Sequence, residues 1–182
     1  SLMMIPGYIT VTGEPIPTGK EVIVMDAGGT NFRIATVKSQ PGGGMEIENF
    51  SKHPMPGTKG QITIDAFFEQ IADYMEPVLK VSDADTVGFC FSFVVEILPS
   101  REGRLDAFSK EVLVEGVDGN LIGESLNRVI ESRGYKPRSF VLLNDTVATM
   151  LGGMASAAGR NYSNYIGYIL GTGTNTCYIE DC

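Results

Sequence analysis

Val22-Ile23-Val24-Met25-Asp26-Ala27-Gly28-Gly29-Thr30-Asn31-Phe32-Arg33 joins two apolar runs through a Gly-Gly turn. The first run starts at Glu21 and the second continues from Phe32 to Val37. Apolar runs on either side of a Gly-Gly pair predict a β-hairpin. Adjacent glycines also let a backbone approach a phosphate closely and turn consecutive N–H groups toward an anion. Thr30 and Asn31 would add neutral donors, and Arg33 could reach phosphate oxygens. Asp26, at the strand end, suits Mg²⁺, which prefers oxygen ligands and keeps waters. An ordinary hairpin turn explains the same residues, and alone the two readings are evenly matched. The stretch is not a Walker loop, because GxxxxGK[ST] is missing and a second strand follows where a helix would be needed.

Outward from this hairpin, Pro41-Gly42-Gly43-Gly44 marks a turn, and Met45 to Phe50 alternates like a returning strand. Ile62 to Val81 changes to helical spacing, with Phe67, Phe68, Ile71, Ala72, Met75 and Leu79 on one stripe. Asp65 and Glu69 sit early in it, where the helix dipole favours anions. Pro77 is expected to kink or shorten the helix. Val87 to Val95 reads as one buried strand. Leu121 to Arg133 is a second amphipathic helix, with Gly134 at its C′ position. Phe140 to Leu143 is another buried strand, and an Ala-, Met- and Gly-rich helix follows to about Ala158. Tyr165 to Leu170 and Thr176 to Ile179 are strands around Gly171-Thr172-Gly173-Thr174-Asn175. The expected class is α/β, with a mixed sheet and intervening helices. The pattern restarts at Leu143–Asn144, so we expect domains at 1–143 and 144–182.

Composition narrows the function. Lys plus Arg number 14 and Asp plus Glu 22, a formal charge of −8. That excludes nucleic acid as the main partner, because phosphate backbones are held by clustered cations. An anionic ligand must then be held locally, by backbone N–H groups or a bridging metal. Cys90, Cys177 and Cys182 form no CxxC pair, so neither a zinc site nor a disulfide framework is expected, and a reducing, cytoplasmic setting is. No apolar run approaches the roughly 18 residues that span a bilayer, so no membrane partner is expected.

Gly171-Thr172-Gly173 could cradle phosphate as the first turn does, although it lacks the GxGxxG pattern and a crossover helix. This second turn alone reads as a plain hairpin, but two such turns suggest a paired clamp. Asn144-Asp145-Thr146 stands where a buried strand hands over to a helix, the place where ligands of open α/β sheets collect. There Asp145 could take a proton from a hydroxyl, and Asn144 could donate and accept. A helix N-cap is the competing reading, and position alone favours it. Ser92, at the end of the other buried strand, suits a ligand hydroxyl or a packed core serine. Lys110 is a candidate contact or a solvated charge. His53, the single histidine, lies beside Pro54 away from every motif and reads as structural.

In order and spacing these segments resemble the hexokinase family. The resemblance runs from about residue 20 to the end. Val22 to Arg33 resembles its first phosphate segment, and Gly88-Phe89-Cys90-Phe91-Ser92-Phe93 its sugar-binding Ser segment. Phe108-Ser109-Lys110 is similar to its Thr-Lys sugar contact. Leu143 to Met150 closely resembles the catalytic segment, and Ile169 to Glu180 the stretch with the second phosphate turn. The resemblance implies an actin-like ATPase (ribonuclease H-like) fold, here the small lobe plus the start of the large lobe. It implies an ATP-dependent kinase that phosphorylates the 6-hydroxyl of a hexose, glucose with mannose or fructose as alternatives. Asp145 would be the general base. Ser92, Phe93, Ser109, Lys110, Asn144 and Asn175 would contact the sugar. Asp26, Gly28, Gly29, Thr30, Asn31, Arg33, Gly171, Thr172 and Gly173 would serve ATP, with Asp26 on the Mg²⁺ side. Val94 stands where the family carries Pro, Ser109 where it carries Thr, and Ala107 where it carries Asn. The sugar-clasping glutamates and the adenine region would lie beyond Cys182. We therefore expect a fragment that is incomplete as an enzyme, with a non-catalytic sugar-binding relative as the alternative.

Overall fold

The computed structural model describes residues 6–8, 17–41, 44–108, 111–156, 162–171 and 174–180. The opening hairpin forms as expected. Strand β1 (Glu21–Ala27) pairs antiparallel with β2 (Asn31–Ser39), and β2 with β3 (Met45–Pro54). A second, parallel set is added to β1. Strand β5 (Thr86–Phe91) lies alongside β1, and β9 (Ser139–Leu143) alongside β5, which gives a five-stranded mixed sheet in the order β3-β2-β1-β5-β9.

Period-2 alternation decides what each face does. Ile23, Met25 and Ala27 of β1, Val87, Phe89 and Phe91 of β5, and Phe140 and Leu142 of β9 are buried in one core. Helices α1 (Ile64–Leu79) and α2 (Ile122–Ser132) supply the rest of it, through Phe67, Ile71 and Met75 and through Ile122, Leu126 and Ile130. Helix α1 starts where the Thr63 hydroxyl accepts from the Ala66 N–H, an N-cap. Pro77 lies inside α1, which runs on to Leu79, so it does not end the helix. Gly134 takes φ +85° after α2, as its C′ assignment requires.

One strand expectation is corrected here. The run from Val87 to Val95 is not one strand. It breaks at Ser92–Phe93, and β6 (Val94–Ile97) turns back antiparallel to β7 (Gly103–Ala107). Burial still alternates through the break, and the Phe93 ring packs in the core against Phe91 and Phe108. Short β4 (Ile62–Thr63) and β8 (Val114–Glu115) pair in parallel beside α1, a contact with no periodic signal in two residues.

After β9 the pattern restarts. Helix α3 (Asp145–Ser156) leads to an antiparallel ribbon, β10 (Ile166–Leu170) with β11 (Thr174–Tyr178). Thr174 and Asn175, expected in the turn, belong to β11. The ribbon packs on α3 and stays outside the five-stranded sheet. Among the described residues no helix is long and apolar enough to cross a membrane.

Candidate active site

Parallel pairing brings the carboxyl ends of β1, β5 and β9 level. Asp26 is the register partner of Cys90, and Cys90 that of Leu143. Register partners project to the same face, here the one opposite the aromatic core. The chain continues from these ends as Gly28-Gly29, Ser92 and Asn144-Asp145, so candidates remote in sequence share one edge. The Ser92 N–H donates to the Ala27 carbonyl at 3.1 Å and fixes the exit of β5 against that of β1.

In the first turn the Gly28 N–H donates to the Asn31 carbonyl, and the Met55 N–H to the Thr30 carbonyl, both at 3.0 Å. Neither Gly28 nor Gly29 has a positive φ. A Cβ on Gly29 would meet nothing within 4 Å, and one on Gly28 only the Asn31 carbonyl at 3.6 Å. The fold therefore does not demand these glycines, and the space they leave is what a close backbone–phosphate approach requires. Arg33, opposite Asp26 across the hairpin, forms an ion pair with its carboxylate through Nη1 and Oδ2. This contact half-neutralises the strand-end carboxylate. Among the described residues no three His, Cys, Asp or Glu side chains are grouped to hold a metal ion. Asp26 would thus share Mg²⁺ with phosphate oxygens and water, the usual arrangement for magnesium.

At the next strand end, Asn144 takes the helix-cap role that its position favours. Its carbonyl accepts from the Ala148 N–H at 2.9 Å and its Oδ1 from the Thr146 N–H at 3.1 Å, which makes it the N-cap of α3. Asp145 occupies the first helical position, half-buried, with Oδ1 accepting from the Thr146 N–H at 2.8 Å. Asn175 reaches across from β11, its Nδ2 donating to Asn144 Oδ1 at 3.0 Å and lying 3.4 Å from Asp145 Oδ1. The structure thus joins Asn144, Asp145 and Asn175 directly. The Phe93 ring is buried, so only its backbone could meet a ligand. Gly171 lies at the end of β10. Ser109, Lys110, Thr172 and Gly173 lie outside the described residues. His53 stacks on Tyr74 at 4.1 Å and meets the Ser51 hydroxyl at 2.9 Å, a structural role as expected.

Three further positions at this edge were given no role from the sequence. Cys90 stands between the two carboxylates: burial first, then Asp26 and Asp145, push its thiol up to about 12. Alternation in β5 placed it off the core face, a signal that could have found it. Thr146 and Gly167 needed the packing of the ribbon on α3. A Cβ on Gly167 would fall 2.3 Å from the Thr146 carbonyl and 2.7 Å from Cys177 Sγ.

Comparison with known proteins gives the family and the fold. A family model described as Hexokinase matches residues 1–155. The chain is 30% identical over 185 residues to a Hexokinase of Schistosoma mansoni, covering 100% of this chain and 40% of that protein. It is 33% identical over 198 residues to Hexokinase-1 of Mus musculus, covering 100% of this chain and 19% of that one. A solved hexokinase from Schistosoma mansoni complexed with glucose superposes with a TM-score of 0.79 at 30% identity, over 98% of this chain and 40% of that one. The chain thus spans less than half the length of these relatives, and its fold is the actin-like ATPase fold.

Proposed function

The chain belongs to the hexokinase family, and on that premise we propose that it carries the hexose-side chemistry of an ATP-dependent hexokinase. The reaction is transfer of the γ-phosphoryl group to the 6-hydroxyl of a hexose such as glucose. The observation that carries the reading is the meeting of Asn144, Asp145 and Asn175 at the strand edge that also holds Asp26 and the Gly28-Gly29 turn.

Phosphoryl transfer depends on positioning and charge neutralisation more than on covalent chemistry. Asp145 orients the attacking hydroxyl and takes its proton. Ser92, Asn144, Asn175 and the Phe93 backbone set the sugar beside it, and by the resemblance to the family Ser109 and Lys110 would be further sugar contacts. Mg-ATP, when bound, supplies the phosphoryl group and the charge that neutralises it. Gly28 and Gly29 would let the backbone approach its phosphates, with the Gly29 N–H, Thr30 and Asn31 as donors, and Asp26, beside Arg33, would hold the metal. By the resemblance to the family, Gly171, Thr172 and Gly173 would serve the phosphates as well. The glucose-bound Schistosoma relative supports a hexose as ligand. The lobe boundary falls at Leu143–Asn144, a placement supported by the ribbon's staying outside the sheet. We expect this chain alone to bind sugar without turning it over, and the protein to act in the cytoplasm.

A chimera tests the reading, with this chain in place of the stretch of the Schistosoma enzyme to which it aligns. We expect sugar phosphate from glucose and Mg-ATP, and a loss of about 10²–10⁴-fold in kcat for Asp145→Asn. Unchanged turnover in that variant would remove Asp145 as the base.

A further inference from the structure

Thr146 is buried, 2% exposed, and both of its donors turn back onto the preceding residues. Its hydroxyl donates to Asn144 Oδ1 at 2.6 Å and its N–H to the same oxygen at 3.1 Å. The N–H also lies 2.8 Å from Asp145 Oδ1. With Asn175 Nδ2 at 3.0 Å, three donors meet Asn144 Oδ1. An amide oxygen has two lone pairs, so its acceptor capacity is filled. Among the described residues no acceptor faces Asn144 Nδ2. Asn175 is likewise engaged, since its Oδ1 accepts from the Thr176 N–H at 2.9 Å.

We propose that Thr146 is a positioning residue which, with Asn175, locks the Asn144 amide so that it meets a ligand only as a donor. The group that Asn144 recognises is then an acceptor oxygen, and a hydroxyl there must turn its proton elsewhere. Asn175 acts first on Asn144 and Asp145 and joins the β10–β11 ribbon to them. This rests on the reading of Asn144 and Asp145 as the hexose contacts.

The test uses the whole chain, glucose as the probe, and ¹⁵N-resolved side-chain amide signals. Thr146→Val keeps the shape and removes the hydroxyl; Thr146→Ser keeps the hydroxyl. In Thr146→Val we expect the Asn144 and Asn175 amide signals to shift and glucose affinity to fall by about tenfold, the scale of one lost hydrogen bond. Thr146→Ser should restore both. If Thr146→Val does not fold, Asn175→Ala gives the same reading from the other partner through the Asn144 signal. Unmoved Asn144 and Asn175 signals in a folded Thr146→Val overturn the proposal, as does a Thr146→Ser that behaves like Thr146→Val. If the unaltered chain does not bind glucose, the hexose reading falls, and the amide signals alone then decide the positioning role.

Discussion

Gly29 has an ordinary φ and open space where a Cβ would stand, so its identity answers to no requirement of the fold. Gly29→Ala is therefore expected to leave stability within about 0.5 kcal/mol, or to raise it slightly by restricting the unfolded chain. Thermal denaturation checks this. A fall in Tm beyond about 4 °C, roughly 1 kcal/mol or more at this size, would show that the fold needs the glycine. In the chimera the same substitution should weaken Mg-ATP binding, because the methyl occupies the approach. Cys90 gives a prediction of opposite kind. Burial and the flanking Asp26 and Asp145 hold its pKa near 12, so the thiol stays protonated through neutral and mildly alkaline pH. The thiolate is the reactive species. Iodoacetamide at pH 8 should therefore leave Cys90 unmodified by peptide mass mapping, and prompt alkylation would contradict its placement between the carboxylates.

Elements here are positioned by close approaches and by a few charged contacts. The β10–β11 ribbon can deliver Asn175 only because Gly167 lets β10 lie against the Thr146 carbonyl. Gly167→Ala must push the ribbon away, since a 2.3 Å contact with backbone has no flexible side chain to yield. We expect the Asn175 amide signal to lose its Asn144 shift while the α1 and α2 core remains folded. An unmoved signal would count against the packing described. Between α1 and α2, Arg133 pairs with Glu69 and Asp73 and also donates to the Glu69 carbonyl. Its side chain is only 23% exposed, so this cluster exceeds a lone surface pair. Arg133→Ala should lower Tm by about 2–4 °C, corresponding to roughly 1 kcal/mol; no change in Tm would reduce the cluster to a surface pairing. These contacts also mark where sequence reading stopped. Alternation and helical spacing located the hairpin, the three helices and the end of β9, because each is a local property of consecutive residues. The break at Ser92–Phe93 was hidden because Phe93 is as apolar as the strand before it. The partnership of Asn144 with Asn175 was hidden because it depends on how a ribbon packs, which no local period encodes.

At the scale of the whole molecule, the two parts are supported unequally. The five-stranded sheet is backed by Phe32, Phe67, Phe89, Ile71 and Leu126, all fully buried. The β10–β11 ribbon rests on α3 and leaves Ile166, Tyr168, Leu170 and Tyr178 exposed. Register places Ile166 opposite Tyr178, and Tyr168 and Leu170 follow at alternate positions, so this apolar surface is one face. Local opening free energies track buried apolar contact, and the ribbon has little of it. Hydrogen exchange should therefore be graded along the chain. Amides of β1, β5 and β9 should exchange slowest, near the global unfolding limit, and those of β10 and β11 faster. A fully buried phenylalanine such as Phe89 sets the contrast, since Phe89→Ala should cost about 3–5 kcal/mol and accelerate exchange across the sheet. Glucose, if it bridges Asn144, Asp145 and Asn175 as proposed, must tie the ribbon to the sheet edge, and its addition should slow β11 exchange more than that of β5. Ribbon amides as protected as those of β5 without sugar would show that the ribbon is already held as firmly as the core. The catalytic edge would then be rigid before any ligand arrives.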